Sequence, residues 1–162
     1  MKRSLNKKPQ HVKSLSVPTE EDWGDYRSDL DQNDAHSVFA GRTNEQMQRF
    51  FRENPIERTS DLRWMPEGPF RYYMLGFRDF VMAMQFDFPH ASDAASCFLR
   101  LVLEKLEKEP RRIVPIMPEL IPAVEYVARN QKLFTCWRVP NSPTRFAFAE
   151  ARFRISEARN LH

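Results

Sequence analysis

The sequence is poor in glycine and cysteine, and it lacks long apolar runs. Only four of its 162 residues are glycine, which leaves little material for phosphate-cradling loops or tight hairpins. The two cysteines, Cys97 and Cys136, have apolar neighbours and no zinc-ligand spacing, so we expect buried free thiols in a reducing, cytoplasmic environment. No stretch approaches the roughly 18 apolar residues of a membrane span, so we expect no membrane association.

Motifs that would specify a reaction are also missing. The four histidines are scattered, and none has a second histidine four positions away, which excludes the usual helical zinc-protease pattern. No serine or cysteine lies in a nucleophile elbow of the GxSxG type. We therefore predict no cofactor and no assignable catalytic residue, and we favour a non-enzymatic protein over an enzyme.

Charge is distributed in blocks, although the formal net charge is only +3. Residues 1–18 carry five bases and no acids, residues 19–110 carry 11 bases and 18 acids, and residues 111–162 carry nine bases and four acids. A dedicated nucleic-acid-binding domain is more uniformly basic. The pattern instead permits the acidic middle to contact a basic end, in the same molecule or in another copy.

Prolines divide the chain into intervals of helical length, since proline interrupts a helix from within. Apolar residues recur in these intervals at offsets of three and four, as on one face of a helix. The predicted helices are Thr43–Asn54 with Thr43 as N-cap, Pro69–Met84, Ser92–Glu109 with Ser92 as N-cap, and Pro118–Gln131. A short turn is predicted at Ser60–Met65, and the charged run 104–109 is predicted as a solvated face.

These patterns predict an all-α protein with one helical domain at residues 19–162. The domain is expected to be a compact bundle of five or six helices. Residues 1–18 lack apolar periodicity and are predicted to form a flexible basic tail.

The C-terminal region 133–157 permits two structures. Alternating side chains before Pro140 favour a small β-hairpin. A helix is the preferred alternative, because Ser142-Pro143 suits a cap followed by a first helical position, and because apolar residues then follow at helical offsets: Phe146, Ala149 and Phe153.

The acidic segment 22–36 contains the candidate metal ligands. Clustered carboxylates repel one another, so a divalent cation or an arginine would stabilise them. If the segment were one helix, Asp22, Asp25 and Asp29 would share a face. A calcium loop that starts at Asp29 is excluded, because its sixth position requires glycine and is Asp34, and its twelfth requires glutamate and is Ala40. The preferred interpretation is a solvated stretch whose aspartates cap helices and meet basic partners. The candidate metal ligands are Asp25, Asp29, Asp31 and His36.

The candidate partner-binding residues centre on Trp64, in a predicted loop at 63–70 that contains Pro66 and Pro69. Tryptophan is enriched at interaction hot spots, and surface loops often carry function. In the alternative interpretation, Trp64 closes one end of the bundle and the neighbouring aromatic residues are core, with arginines at the rim. The full candidate set is Trp64, Arg71, Tyr72, Arg145 and Arg152.

The sequence thus predicts a cytoplasmic protein–protein interaction or regulatory module, whose partner is another protein or a second copy of itself. One alternative function is nucleic-acid binding through residues 1–18 and 111–162, where bases would neutralise phosphates. The other is a metal-dependent enzyme that uses residues 22–36.

Overall fold

The computed structural model describes residues 16–83 and 90–130 of the chain. These residues form helices joined by short connections and contain no strand, which confirms the all-α prediction. They contain eight α-helical segments, slightly more than the predicted five or six, and six of these have ten or more residues. The helix or hairpin predicted for 133–157 lies outside the described residues.

Two of the α-helices are single turns, and two further turns are 3-10 helices. In chain order the α-helices are α1 (Glu20–Trp23), α2 (Leu30–Phe39), α3 (Asn44–Glu53), α4 (Pro55–Trp64), α5 (Glu67–Ala83), α6 (Ala91–Lys108), α7 (Pro110–Ile113) and α8 (Met117–Arg129). The 3-10 turns Tyr26–Ser28 and Val114–Ile116 precede α2 and α8.

Side-chain caps set the start of α3 and α4. The Thr43 hydroxyl accepts the Gln46 N–H at 3.3 Å and the Gln46 side chain accepts the Thr43 N–H at 2.9 Å, so the predicted capping box is confirmed. The short turn predicted at 60–65 was wrong: α4 already begins at Pro55. Its cap is Asn54, which accepts the Glu57 N–H at 3.1 Å, and Pro55 occupies the first helical position.

Three other predicted helix starts were wrong by one or two residues. α8 begins at Met117 and not at Pro118. α5 begins at Glu67, so Pro69 is its third residue. Proline is tolerated there because the first N–H groups of a helix have no intrahelical partner. α6 begins at Ala91 after His90, so Ser92 is its second residue and not its cap.

α5 is the central helix, and it packs against α1, α3, α6 and α8. Its buried ring Phe77 lies 5.0 Å from the Phe51 ring of α3 and 5.8 Å from the Phe98 ring of α6, measured between centroids. Burying one such side chain contributes roughly 1.5–3 kcal/mol. The described members of the predicted apolar stripe are all buried: Phe70, Tyr73, Met74, Phe77 and Val81. Met84, its last member, lies outside the described residues.

A glycine lets α3 approach α5 closely. At Gly76 the Asn44 side chain of α3 donates to the Tyr72 carbonyl at 3.0 Å, and Gln48 donates to the Gly76 carbonyl at 3.0 Å. A Cβ atom at Gly76 would lie 2.2 Å from the Asn44 Oδ1. Polar side chains of α3 can therefore reach the backbone of α5 only because this position has no side chain.

Of the predicted tail, the structure describes residues 16–18. Val17 packs against the core and Pro18 is buried, and the tail boundary at residue 18 stays a prediction. Within the described ranges, no helix is both long enough and apolar enough to traverse a membrane.

Candidate interaction site at the Trp64 corner

Trp64 is the last residue of α4, and only Met65 and Pro66 separate it from α5. The loop expected at 63–70 is therefore a two-residue connection between helices. Met65 is fully buried and anchors this connection, whereas Trp64 remains 46% exposed. We use the name Trp64 corner for the region where this connection meets the end of α6 and α7: residues 63–67, 71, 104–105, 108–109 and 111–114.

Three cationic side chains hold backbone carbonyls at the corner. Lys105 of α6 donates to the Arg63 carbonyl at 2.7 Å, and Arg112 of α7 donates to the Met65 carbonyl at 2.8 Å. Arg71 of α5 donates to the carbonyls of Arg111 and Arg112 at 2.7 and 3.1 Å. The last carbonyls of a helix lack intrahelical partners and attract cations. These contacts fix the end of α4 to α6, the α4–α5 connection to α7, and α7 to α5.

Carboxylates then pair with the same cations. The Arg63–Glu104 contact is 2.9 Å, Lys105–Glu109 is 2.5 Å and Arg71–Glu67 is 2.7 Å. Glu109 also pairs with Arg112 at 2.6 Å, and Glu104 lies 3.7 Å from Lys108. With the exposed Arg111 included, the corner as defined holds six cations and three carboxylates, and five of the cations reach the surface because Lys105 is buried. The corner therefore carries a surplus of positive charge.

Lys105 is the buried element of this network. Its side chain is 1% exposed, and its Nζ lies 5.4 Å from the centroid of the Phe70 ring. Burial lowers the pKa of Lys105, while the hydrogen bond to Glu109 acts in the opposite direction. The prediction that residues 104–109 form a solvated face was therefore wrong at this position, because Lys105 points inward towards the end of α4.

Two apolar side chains stay exposed at the corner. Trp64 lies between the two residues whose carbonyls are held, Arg63, which Lys105 binds, and Met65, which Arg112 binds. Val114, which is 49% exposed, lies two residues after Arg112. A half-exposed tryptophan on a rigid backbone is typical of an interaction hot spot.

The other predicted partner-binding residues have different positions. Arg71 is half-buried within the network. Tyr72 is only 9% exposed, its hydroxyl accepts the Asn44 N–H at 3.3 Å, and its ring packs edge-on against Tyr73. Tyr72 therefore belongs to the core, which corrects the expectation that it is available at the surface. Arg145 and Arg152 lie outside the described residues.

The acidic segment is not one helix, so the condition for a shared face of Asp22, Asp25 and Asp29 is not met. α1 ends at Trp23, a 3-10 turn follows, and α2 begins at Leu30. Asp29 caps α2 by accepting the Gln32 N–H at 3.0 Å, as the solvated interpretation expects for a capping aspartate. Asp25 and Asp31 are exposed.

His36 has protein partners. Its Nε2 lies 2.8 Å from the Glu20 carboxylate, and its ring stacks on Tyr26 with centroids 3.6 Å apart. The four candidate ligands are not brought together, and within residues 16–83 and 90–130 no group of three or more His, Cys, Asp or Glu side chains is placed to hold a metal ion.

A second buried charge, on α4, also escaped the sequence-based prediction. The Nε of Arg58 lies 3.0 Å from the Asp61 carboxylate, and both side chains are about one-tenth exposed. Burial raises the pKa of Asp61 to about 6, against the opposing effect of Arg58. The three-residue spacing of this pair, like the four-residue spacing of Lys105 and Glu109, is visible in the sequence, but spacing does not show whether a pair is buried.

Two remaining features of the described residues, the Cys97 thiol and a surface cavity, do not indicate a second site. Cys97 is half-buried, and burial raises the pKa of its thiol, which disfavours the nucleophilic thiolate. Cys136 lies outside the described residues. A surface cavity of about 210 Å³ is smaller than a usual ligand pocket, and it is lined by Gln48, Arg49, Arg52, Phe80 and Ala83.

Comparison with known proteins adds no functional assignment. No protein-family model, no curated protein and no solved structure matches this chain.

Proposed function

We propose that this protein is a non-enzymatic, cytoplasmic interaction module that binds a partner protein at the Trp64 corner. The observation that carries the proposal is the half-exposed Trp64 on a backbone fixed by Lys105 and Arg112. A preorganised contact residue loses little conformational freedom on binding, so more of its interaction energy contributes to affinity. The half-buried Cys97 thiol, which is free, supports a reducing compartment.

The charge around Trp64 indicates the chemistry of the partner. Five cations that reach the surface and three carboxylates share the corner with the two exposed apolar side chains, while the sixth cation, Lys105, is buried. An acidic surface with an apolar centre would complement this arrangement. Charge complementarity of this kind accelerates association and disfavours basic partners.

The test is quantitative affinity capture with the full chain and a matched pair of variants. Trp64→Ala removes the proposed contact residue. The control Ile56→Ala truncates a side chain that is 59% exposed at the other end of the same helix. We expect Trp64→Ala to reduce recovery of the specific partner about tenfold or more, and Ile56→Ala to leave recovery unchanged.

Thermal unfolding of both variants provides the control for folding. Equal recovery of the partner by wild type and by a folded Trp64→Ala variant would remove Trp64 from the proposed binding surface.

A further inference from the structure

The Trp64 corner adjoins a surface of opposite charge. We call residues 20–34 the acidic face; it contains seven carboxylates and one base, Arg27. Six of the seven acidic residues are exposed, and so is Leu30, at 84%. The two surfaces meet where α1 packs on the start of α5, since a Cβ atom at Gly68 would lie 3.4 Å from the Cβ of Asp22.

Adjacent patches of opposite charge make a surface self-complementary. When a second copy is rotated by a two-fold axis between the patches, each acidic face meets the other copy's basic corner, and the contact is made twice. Two-fold symmetry of this kind closes after two copies, so it gives a dimer and not a chain of molecules. Three of the exposed large apolar side chains lie on these two surfaces, Leu30 on the acidic face and Trp64 and Val114 at the corner, whereas Ile56 and Met82 lie outside both.

We propose that the partner bound at the Trp64 corner is the acidic face of a second copy of this chain, in a two-fold symmetric dimer. The inference rests on the proposed function and names its partner. Charge disfavours the chain's own ends as occupants of the corner. Residues 1–15 carry five bases and no acids, and residues 131–162 carry six bases and two acids, so both would be repelled by the basic corner.

The experiment is sedimentation velocity of the full chain over a range of concentrations and salt. We expect a monomer–dimer equilibrium that shifts towards monomer as salt rises, because exposed charges are screened. Arg111→Glu at the corner and Asp31→Lys on the acidic face each replace an attractive charge with a repulsive one. Since each contact is made twice, either variant alone should weaken dimerisation about tenfold or more.

An equimolar mixture of the two variants provides the decisive arm. In a mixed dimer, the introduced glutamate of one copy would face the introduced lysine of the other in one contact. The unchanged Arg111 and Asp31 would face each other in the second contact. Dimerisation should therefore return to near the wild-type level in the mixture. Trp64→Ala should weaken the dimer at all salt concentrations, and Ile56→Ala should leave it unchanged.

The outcomes separate this inference from the proposed function. A wild-type chain that is monomeric at every concentration, association that survives both charge reversals, or a mixture that fails to recover would overturn the dimer. If the chain is monomeric but captures a different protein, and Trp64→Ala abolishes that capture, the proposed function stands and only the dimer is overturned. If the monomer itself becomes more compact, independently of concentration, the acidic face makes its contact within one chain. That result would also overturn the dimer.

Discussion

Replacing Gly76 with alanine tests the close approach of α3 and α5. The new methyl group would lie 2.2 Å from the Asn44 Oδ1, so the Asn44 amide must move away from the Tyr72 carbonyl that it binds at 3.0 Å. Loss of that hydrogen bond removes about 1 kcal/mol, and forced repacking removes about 1–3 kcal/mol. The better helix propensity of alanine returns about 1 kcal/mol. We expect Gly76→Ala to lower the free energy of unfolding by about 1–3 kcal/mol.

The same substitution should have the opposite sign when Asn44 is absent. Asn44→Ala alone should cost about 1 kcal/mol for the lost hydrogen bond. In that background no amide obstructs the methyl group, so Gly76→Ala should be neutral or stabilising by up to about 1 kcal/mol. Gly68→Ala is the matched control, because its new Cβ would meet Asp22 at an ordinary 3.4 Å.

Urea unfolding followed by circular dichroism measures the free energies of unfolding of wild type, Gly76→Ala, Asn44→Ala, the double variant and the Gly68→Ala control, provided that the slope with urea is unchanged. Equal destabilisation by Gly76→Ala with and without Asn44 would refute the reasoning, because the effect would then come from something other than this contact.

Two further predictions concern the buried charges. Since the pKa of Asp61 is raised from 3.8 to about 6 on folding, the folded state binds more protons between these values, and the contribution of Asp61 to stability falls as pH rises through that window. The introduced asparagine stays neutral in the Asp61→Asn variant, so the unfolding free energy of the variant minus that of wild type should increase as pH rises from about 4 to 6. This difference should be constant above the folded pKa. A difference that does not change with pH in denaturant titrations would contradict the prediction. Lys105→Met leaves the Arg63 carbonyl without its donor and Glu109 without one of its two cations, so we expect a loss of about 2–4 kcal/mol. Lys108→Met, at a side chain that is 67% exposed, should change stability by less than about 0.5 kcal/mol, and equal effects of the two lysine variants would show that Lys105 is not a structural cation.

The helices were predictable where the signal is local. The Thr43 capping box involves residues three positions apart, and the stripe of α5 depends only on the helical period. α4 was missed because its apolar pattern is weak. Its helix is stabilised by the Asn54 cap and Pro55 and by packing on α2 and α6, and the packing is not visible from the segment itself.

The candidate site was only partly predictable for the same reason. Trp64 stands out in the sequence as a tryptophan between prolines, and the structure places it at an exposed corner. The residues that hold its backbone, Lys105 and Arg112, are more than 40 positions away. No local pattern distinguishes them from solvated lysines and arginines.

The sequence by itself determined the helical class and most of the buried apolar stripe, because the helical period and the side-chain caps act over three or four residues. Tertiary structure alone decided which charges are buried and which patches are adjacent. Lys105 lies against the end of α4, and Asp22 lies beside Gly68, because helices distant in the chain pack around α5. Charge and burial at these positions depend on distances through space, which the order of residues does not specify.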